Sequence, residues 1–303
     1  MKYIFVINPT AGKSDRSSAL TTCIEEICTT HHVMQDVIIH ITKGVGEATT
    51  YVKEIAQTHT ERLRFYACGG DGTLKEVVNG AYGHPHCAVG IIPIGTGNDF
   101  IKTFSQYSTK DFMDIEKQLF AKEEVIDLMR MNDTISINLI STGLDSAIAQ
   151  NVMKFKNLPL IRGSSAYNLS LAYCFFTSLD NHFSYRVDGE LFPRDTYIFA
   201  VIANAQYYGG GYRAAPQADV QDGWLDFICV KRVSRWKVLQ LVNIYKRGEH
   251  LGMEDIVIFR RCKQVELIDE RPLIMNVDGE IEHVQQPSIQ IEEKALMFLF
   301  PSE

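Results

Sequence analysis

The sequence predicts a two-domain α/β protein: a parallel-sheet nucleotide-binding domain followed by a mostly antiparallel β-sandwich. Three observations predict it. Apolar runs alternate with helical patterns through about residue 125, glycine-rich segments follow those runs, and after Glu124 the chain changes to many short strands with Asp-Gly steps at 188–189 and 278–279. A chain of 303 residues is also long for a single core.

Tyr3–Ile7 reads as the first strand. Ala19, Leu20, Cys23, Ile24, Ile27 and Cys28 then recur at helical spacing. Val37–Ile41 is the second strand, Ala48, Val52, Ile55 and Ala56 mark the second helix, and Phe65–Cys68 is the third strand. Leu74, Val77, Val78 and Ala81 make the third helix, Ala88–Ile94 the fourth strand, and Phe112, Ile115 and Leu119 a later helix. Continuous apolar strands joined by helices imply a parallel sheet covered on both faces, whose ligands bind at the carboxyl ends of the strands.

The second half offers strands at Val125–Met131, Ile135–Ser141, Phe183–Val187, Tyr197–Asn204, Trp224–Val230, Ile256–Phe259, Gln264–Ile268, Ile274–Val277 and Ala295–Phe300. Helices are expected near Ser165–Leu179 and Arg235–Lys246, and the Asp-Gly steps read as hairpin turns. The expected domains are 1–125 and 126–303, with 295–300 a candidate to return to the first.

Composition narrows the function classes. No apolar run approaches a membrane span. Met1–Pro9 reads as a strand start rather than a signal peptide, so a cytoplasmic protein is expected, with peripheral membrane contact left open. The net charge of −7 disfavours a nucleic-acid partner, which requires phosphates to be neutralised. The seven scattered cysteines lack C-x-x-C spacing and read as buried free thiols.

The segment Gly69-Gly70-Asp71-Gly72-Thr73 ends an apolar run and opens a helix. Glycines let a ligand approach the backbone, and a helix start offers unpaired N–H donors and partial positive charge, which suits phosphate. Asp71 would repel that phosphate unless a cation such as Mg²⁺ lay between them. Two more glycine loops follow parallel strands, Asn8-Pro9-Thr10-Ala11-Gly12-Lys13 and Pro93-Ile94-Gly95-Thr96-Gly97-Asn98-Asp99-Phe100, and Thr42-Lys43-Gly44 adds a fourth edge. A Walker P-loop is not supported, because Ile7 stands where its first glycine is needed. Phe100 likewise occupies the last glycine position of a dinucleotide fingerprint.

Asn-Pro-x-Ala-Gly-Lys, Gly-Gly-Asp-Gly-Thr-Leu-x-Glu-Val-Val-Asn-Gly and Pro-x-Gly-Thr-Gly-Asn-Asp-Phe, in this order, resemble the diacylglycerol kinase family, with sphingosine and ceramide kinases more distant. Asp127, Gly209–Tyr212 with Pro216 and Ala218, Asp222–Asp226, Arg247–His250 and Asn276–Glu280 extend the resemblance over nearly the whole chain. It implies a first domain like that of NAD kinase and phosphofructokinase. It also implies Mg²⁺-dependent transfer of the ATP γ-phosphoryl to a lipid hydroxyl in the interdomain cleft. Nucleotide contacts are implied for Asn8, Pro9, Thr10, Ala11, Gly12, Thr42, Gly69, Gly70, Asp71, Gly72, Thr73, Leu74, Lys75 and Thr96. Lys75 departs from the commoner Asn. The resemblance further implies a structural Mg²⁺ on the Asp222 carboxylate and the carbonyls of Asp219 and Trp224, and Glu280 as general base beside a catalytic Asp71. A carboxylate can take the proton of an attacking hydroxyl, and phosphoryl transfer otherwise needs positioning and charge neutralisation.

Val-Asp-Gly-Glu occurs twice, at 187–190 and 277–280, and only the second has the family's flanks, so Glu190 reads as a surface turn residue. Asp127 reads equally as part of a network toward Asp71 or as a solvated strand end. The rival functions are an NAD kinase, which shares the Gly-Gly-Asp-Gly-Thr turn, and a non-catalytic nucleotide- or lipid-binding regulator. Two cation-rich apolar segments stand out. Lys231–Arg247 reads as a helix packed on the sandwich with a wet basic edge, and Lys154–Arg162 as the better candidate for an anionic bilayer. A homodimer stays open.

Overall fold

The computed structural model describes residues 1–12, 14–156, 169–170, 173–175, 177 and 179–302, without the side chains of 153, 154 and 156. The chain forms two compact units, Met1–Leu128 with Glu292–Glu303, and Met129–Ile291.

In the first unit, β1 (Lys2–Ile7), α1 (Ser17–Thr30), β2 (Val37–Ile41), α2 (Glu47–Thr58), β3 (Leu63–Gly69), α3 (Asp71–Ala81) and β4 (Cys87–Pro93) alternate along the chain. The strands lie parallel in the order β2-β1-β3-β4, with Ile4 level with Ile38 and Phe65, and Phe65 level with Val89. The final strand, Ser288–Phe300, adds in parallel beside β4, Met297 meeting Ala88. β3 and β4 are buried almost throughout, because helices cover both sheet faces and leave no polar side. Gly80 of α3 faces α2 so closely that a Cβ would stand 2.6 Å from the Val52 Cβ.

The helix expected across Phe112–Leu119 is two five-residue helices, Thr109–Met113 and Ile115–Leu119. Asp114 ends the first and caps the second, its side chain accepting from the Lys117 N–H at 3.1 Å. A cluster of Phe100, Phe104, Phe298 and Phe300 fills the space beside β4, with centroids 4.9–5.4 Å apart for its closest pairs.

The second unit is mostly antiparallel. Asn181–Val187 and Glu190–Ala203 form one hairpin, Leu273–Val277 and Glu280–Val284 another. Both turn on Asp-Gly with positive φ at each residue, 45° and 87° at Asp188-Gly189 and 50° and 93° at Asp278-Gly279, the geometry that matches strand twist. Strand Leu225–Lys231 pairs with Val257–Cys262 and with Glu190–Ala203. Its side chains alternate: Leu225, Phe227 and Cys229 enter one core, Ile228 and Val230 another. Helices Leu144–Lys156 and Arg235–Arg247 contribute Leu144, Ile148 and Val238 to the second of these cores.

Three readings change. Ile135–Ser141 is two strands, Thr134–Ser136 and Leu139–Gly143, interrupted where Asp278 takes the backbone N–H groups of Ile137 and Asn138. Leu144–Lys156 is a helix that was not expected. Tyr207–Tyr208 and Tyr212–Arg213 form a short hairpin over Gly209–Gly211. The helix expected near Ser165–Leu179 and the Lys154–Arg162 segment fall largely outside the described residues. All seven cysteines are free and six are buried. Among the described residues no helix is long and apolar enough to cross a membrane.

Candidate functional site

Three loops meet at the carboxyl ends of β1, β3 and β4, and their contacts leave no room for side chains. A Cβ on Gly95 would lie 2.5 Å from the Gly70 Cα, and one on Gly12 (φ 85°) would lie 2.6 Å from the Ile94 carbonyl oxygen. The Gly95 N–H donates to the Gly69 carbonyl at 2.9 Å. Asn8 follows β1 and ties the first loop to the second, its Nδ2 donating to Thr73 Oγ1 at 3.0 Å. Its Oδ1 accepts from the Thr10 N–H and hydroxyl, at 3.0 and 2.8 Å. Thr42 is buried beside this edge and donates its N–H to the Ile7 carbonyl.

Asp71, the first residue of α3, secures the third loop. Oδ2 accepts from the Asp99 N–H at 2.9 Å and Oδ1 from the Phe100 N–H at 3.2 Å. Asn98 holds φ 47° in that loop, its Nδ2 donating to the Gly95 carbonyl while its buried Oδ1 lacks a partner. Thr73, Leu74 and Lys75 are buried on α3, Pro9, Ala11 and Gly70 are half-buried, and Gly72 and Thr96 are exposed. Lys13 lies outside the described residues. Glu76, a motif residue to which the resemblance assigns no contact, accepts the N–H groups of Gly46 and Ala48 at 3.0 and 3.1 Å and so fixes the start of α2. Asp127 is buried and accepts the Lys294 N–H at 2.7 Å, so it is not a solvated strand end.

In the second unit, Glu280 is exposed at the start of its strand, on a turn that Asp278 anchors. Asp278 accepts from Ser136 Oγ at 2.8 Å and from the N–H groups of Ile137, Asn138 and Leu139 at 2.9–3.1 Å. Asn276 adds a second anchor. Its Oδ1 accepts the Gly279 N–H at 2.9 Å and its Nδ2 donates to Asp145 Oδ2 at 3.1 Å. Ser141 also donates to Asp145. Desolvation pushes the Asp145 carboxyl above the ordinary range, while bonds from Ser141, Asn276 and Tyr208 pull it back. Glu190 is exposed on the other hairpin.

Asp145 also lines an apolar cavity of about 110 Å³ within this unit, walled by Ile148, Phe199, Val238, Leu241 and Tyr245 among others. His250 closes part of it, buried and with neither ring nitrogen in hydrogen-bond geometry. Burial drives its pKa down to about 4, only partly opposed by the Ala214 backbone. The lining residues are spread over more than a hundred positions, and although Gly209, Tyr212 and His250 lie in segments that carry the resemblance, nothing in the sequence gathers them into one cavity.

Asp219, Asp222 and Trp224 share one loop. Asp222 Oδ1 accepts the Trp224 N–H at 2.9 Å, and its Oδ2 is held by the Arg261 guanidinium. Arg261 Nε lies 3.4 Å from the buried Asp226, whose pKa burial raises to about 7. Lys263 donates to the Gly223 carbonyl and lies 4.3 Å above the Trp224 ring. Two side-chain cations thus contact the loop, and a metal ion on the Asp222 carboxylate would have to displace Arg261. Among the described residues no group of three or more His, Cys, Asp or Glu could hold one. Mg²⁺ is bound mainly through substrate phosphates and water with one or two carboxylates, and Asp71 is a carboxylate at this rim.

Residues 2–131 match the diacylglycerol kinase catalytic domain, and residues 138–300 match the YegS C-terminal NAD kinase beta sandwich-like domain. A diacylglycerol kinase of Bacillus subtilis (strain 168) is 25% identical over 91% of this chain and 88% of its own length. One from Staphylococcus carnosus (strain TM300) is 27% identical over 91% and 87%. The fold is shared with a crystal structure of a diacylglycerol kinase from Bacillus anthracis, TM-score 0.71 at 19% identity over 99% of this chain and 96% of that one. It is shared more loosely with an ATP-bound NAD kinase from Archaeoglobus fulgidus, TM-score 0.52 at 14% identity over 99% and 93%.

Proposed function

Because the chain belongs to the diacylglycerol kinase catalytic-domain family, we propose that it is an ATP-dependent lipid kinase that phosphorylates a lipid hydroxyl, diacylglycerol first, giving phosphatidic acid. The observation that carries a lipid acceptor, rather than a dinucleotide, is the apolar cavity of the second unit, whose walls suit a hydrocarbon chain.

The fused loops supply the phosphate cradle. The loop Asn8–Gly12, through its Gly12 N–H, and the turn Gly69–Thr73 at the start of α3 face the triphosphate, and Thr42, Leu74, Lys75 and Thr96 border it. Mg²⁺ arriving with the nucleotide offsets the phosphate charge. Asp71 acts twice in this reading, holding the third loop by its backbone bonds and bringing the negative charge that favours the ion. Glu280 accepts the proton of the acceptor hydroxyl as its oxygen attacks the γ-phosphorus, and the leaving ADP carries away the bridging oxygen. The anchors at Asp278 and Asn276 hold the Glu280 turn still. No step runs through the Asp222 loop.

Transfer of radiolabelled γ-phosphate from ATP, offered diacylglycerol in mixed micelles or NAD in solution, tests the reading. Labelled phosphatidic acid is expected, with product identity checked by mass spectrometry. Glu280→Gln should lower turnover by about 10²–10⁴-fold while ATP still binds, and Asp71→Asn should abolish turnover. Labelled NADP with unlabelled lipid would reverse the assignment.

A further inference from the structure

The helix Arg235–Arg247 has two faces with opposite company. Val238, Leu241, Val242 and Tyr245 point inward and line the apolar cavity. Trp236, Leu239, Gln240 and Asn243, spaced at 3, 4 and 7 residues, form an exposed stripe on the other side. Trp236 is 79% exposed and Leu239 50%. The indole and the leucine together form an exposed apolar pair on this face of the helix.

Charge points the same way. The chain carries a net charge of −7, yet Arg235–Arg247 contains four cations and no acidic residue. Arg247 is paired with Glu249, and Lys246 lies 5.6 Å from the Tyr212 ring. Arg235 and Lys237 flank Trp236 in the first turn, Arg235 donating its Nε to the Phe175 carbonyl. An exposed indole between cations on an otherwise acidic protein matches the headgroup region of an anionic bilayer, where the ring sits at the interface and the cations meet lipid phosphates.

We propose that the outer face of this helix, led by Trp236 and Leu239 with Arg235 and Lys237, is the surface that docks on an anionic lipid bilayer. The occupant follows from charge complementarity and from continuity: the inner face of the same helix walls the cavity assigned to the acceptor's hydrocarbon chain. In this respect the inference rests on the lipid-kinase reading, but docking can be measured without turnover.

Cosedimentation with vesicles of phosphatidylcholine, alone or doped with phosphatidylglycerol, is the test. Binding is expected only to the doped vesicles, weakened about fivefold by each charge neutralisation, Arg235→Gln or Lys237→Gln, and further by Trp236→Ala. Of the two tryptophans, Trp236 should carry a blue shift in emission on binding, kept in Trp224→Phe and lost in Trp236→Phe. Because Trp236 and Lys237 are exposed, thermal melting should stay unchanged in their variants, which separates lost docking from lost folding. Turnover on a short-chain, monomerically dispersed acceptor should survive Trp236→Ala, while turnover on vesicle-embedded acceptor falls. Equal binding to both vesicle types, or binding that survives Trp236→Ala combined with Lys237→Glu, overturns the surface even if the protein phosphorylates lipid. Docking that depends on Trp236 without any lipid phosphorylation would instead remove the kinase reading and leave the surface standing.

Discussion

In the first unit, the candidate site is built from backbone: three loops are joined where Gly70 meets Gly95 and Gly12 meets Ile94, and Asp71 grips two main-chain N–H groups. In the second unit, the candidate acceptor site is built from side chains, with Asp145, Phe199, Val238, Leu241, Tyr245 and His250 converging from separate elements. The two constructions leave different traces. A backbone cradle needs glycine at fixed places in short segments, so it is written locally. A side-chain cavity needs only apolar volume, which many residues supply from many positions.

Substitution of Gly95 by Val presses hardest on this contrast. Its Cβ would have to occupy space 2.5 Å from the Gly70 Cα and 2.8 Å from the Gly70 nitrogen, both main-chain atoms that cannot swing aside. ATP binding by titration calorimetry should fall below detection, and the melting temperature should drop as well, since the two loops also hold each other. Wild-type nucleotide affinity in Gly95→Val would show that the loop contact does not shape the cradle.

That locality explains what the sequence made legible. The alternation in the first unit and both Asp-Gly hairpins could be read because period and turn chemistry are short-range. The split of Ile135–Ser141 could not, because the residue that interrupts it is Asp278, more than 130 positions away. The helix Leu144–Lys156 did carry a signal, with Leu144, Ile148 and Val152 spaced by four, but it is embedded among strands and was passed over. His250 lies in the Arg247–His250 segment that carries the resemblance, but nothing local tells that its ring is buried. At Asp222 the residues themselves spell out only a turn, and the Arg261 guanidinium that meets its carboxylate comes from a strand nearly forty positions on.

A milder test acts on the cavity. Leu241 is half-buried and lines it, so Leu241→Trp can fill the space without forcing apart a closed core. The KM for a long-chain acceptor should rise about tenfold, with the KM for ATP unchanged, because the change removes roughly 1–2 kcal/mol of apolar burial from the acceptor alone. An equal rise in both constants would detach the cavity from the acceptor and weaken the contrast between a nucleotide half and a lipid half.

His250 yields the smallest effect and separates cavity chemistry from cavity shape. Its ring lies 4.7 Å from that of Tyr245, and burial lowers its pKa from 6.5 to about 4. Between those values the unfolded chain binds the proton and the folded one does not, so the stability from a neutral His250 is complete above pH 6.5 and is lost as pH falls toward 4. A gap of this size corresponds to about 3 kcal/mol at most. In His250→Phe, which keeps an aromatic ring and has no proton to gain, the fall in melting temperature between pH 7 and pH 4.5 should be smaller by a few degrees than in the wild type. If both proteins lose the same stability over that window, the imidazole is not kept neutral by the cavity, and the acid sensitivity of the second unit must come from its carboxylates instead.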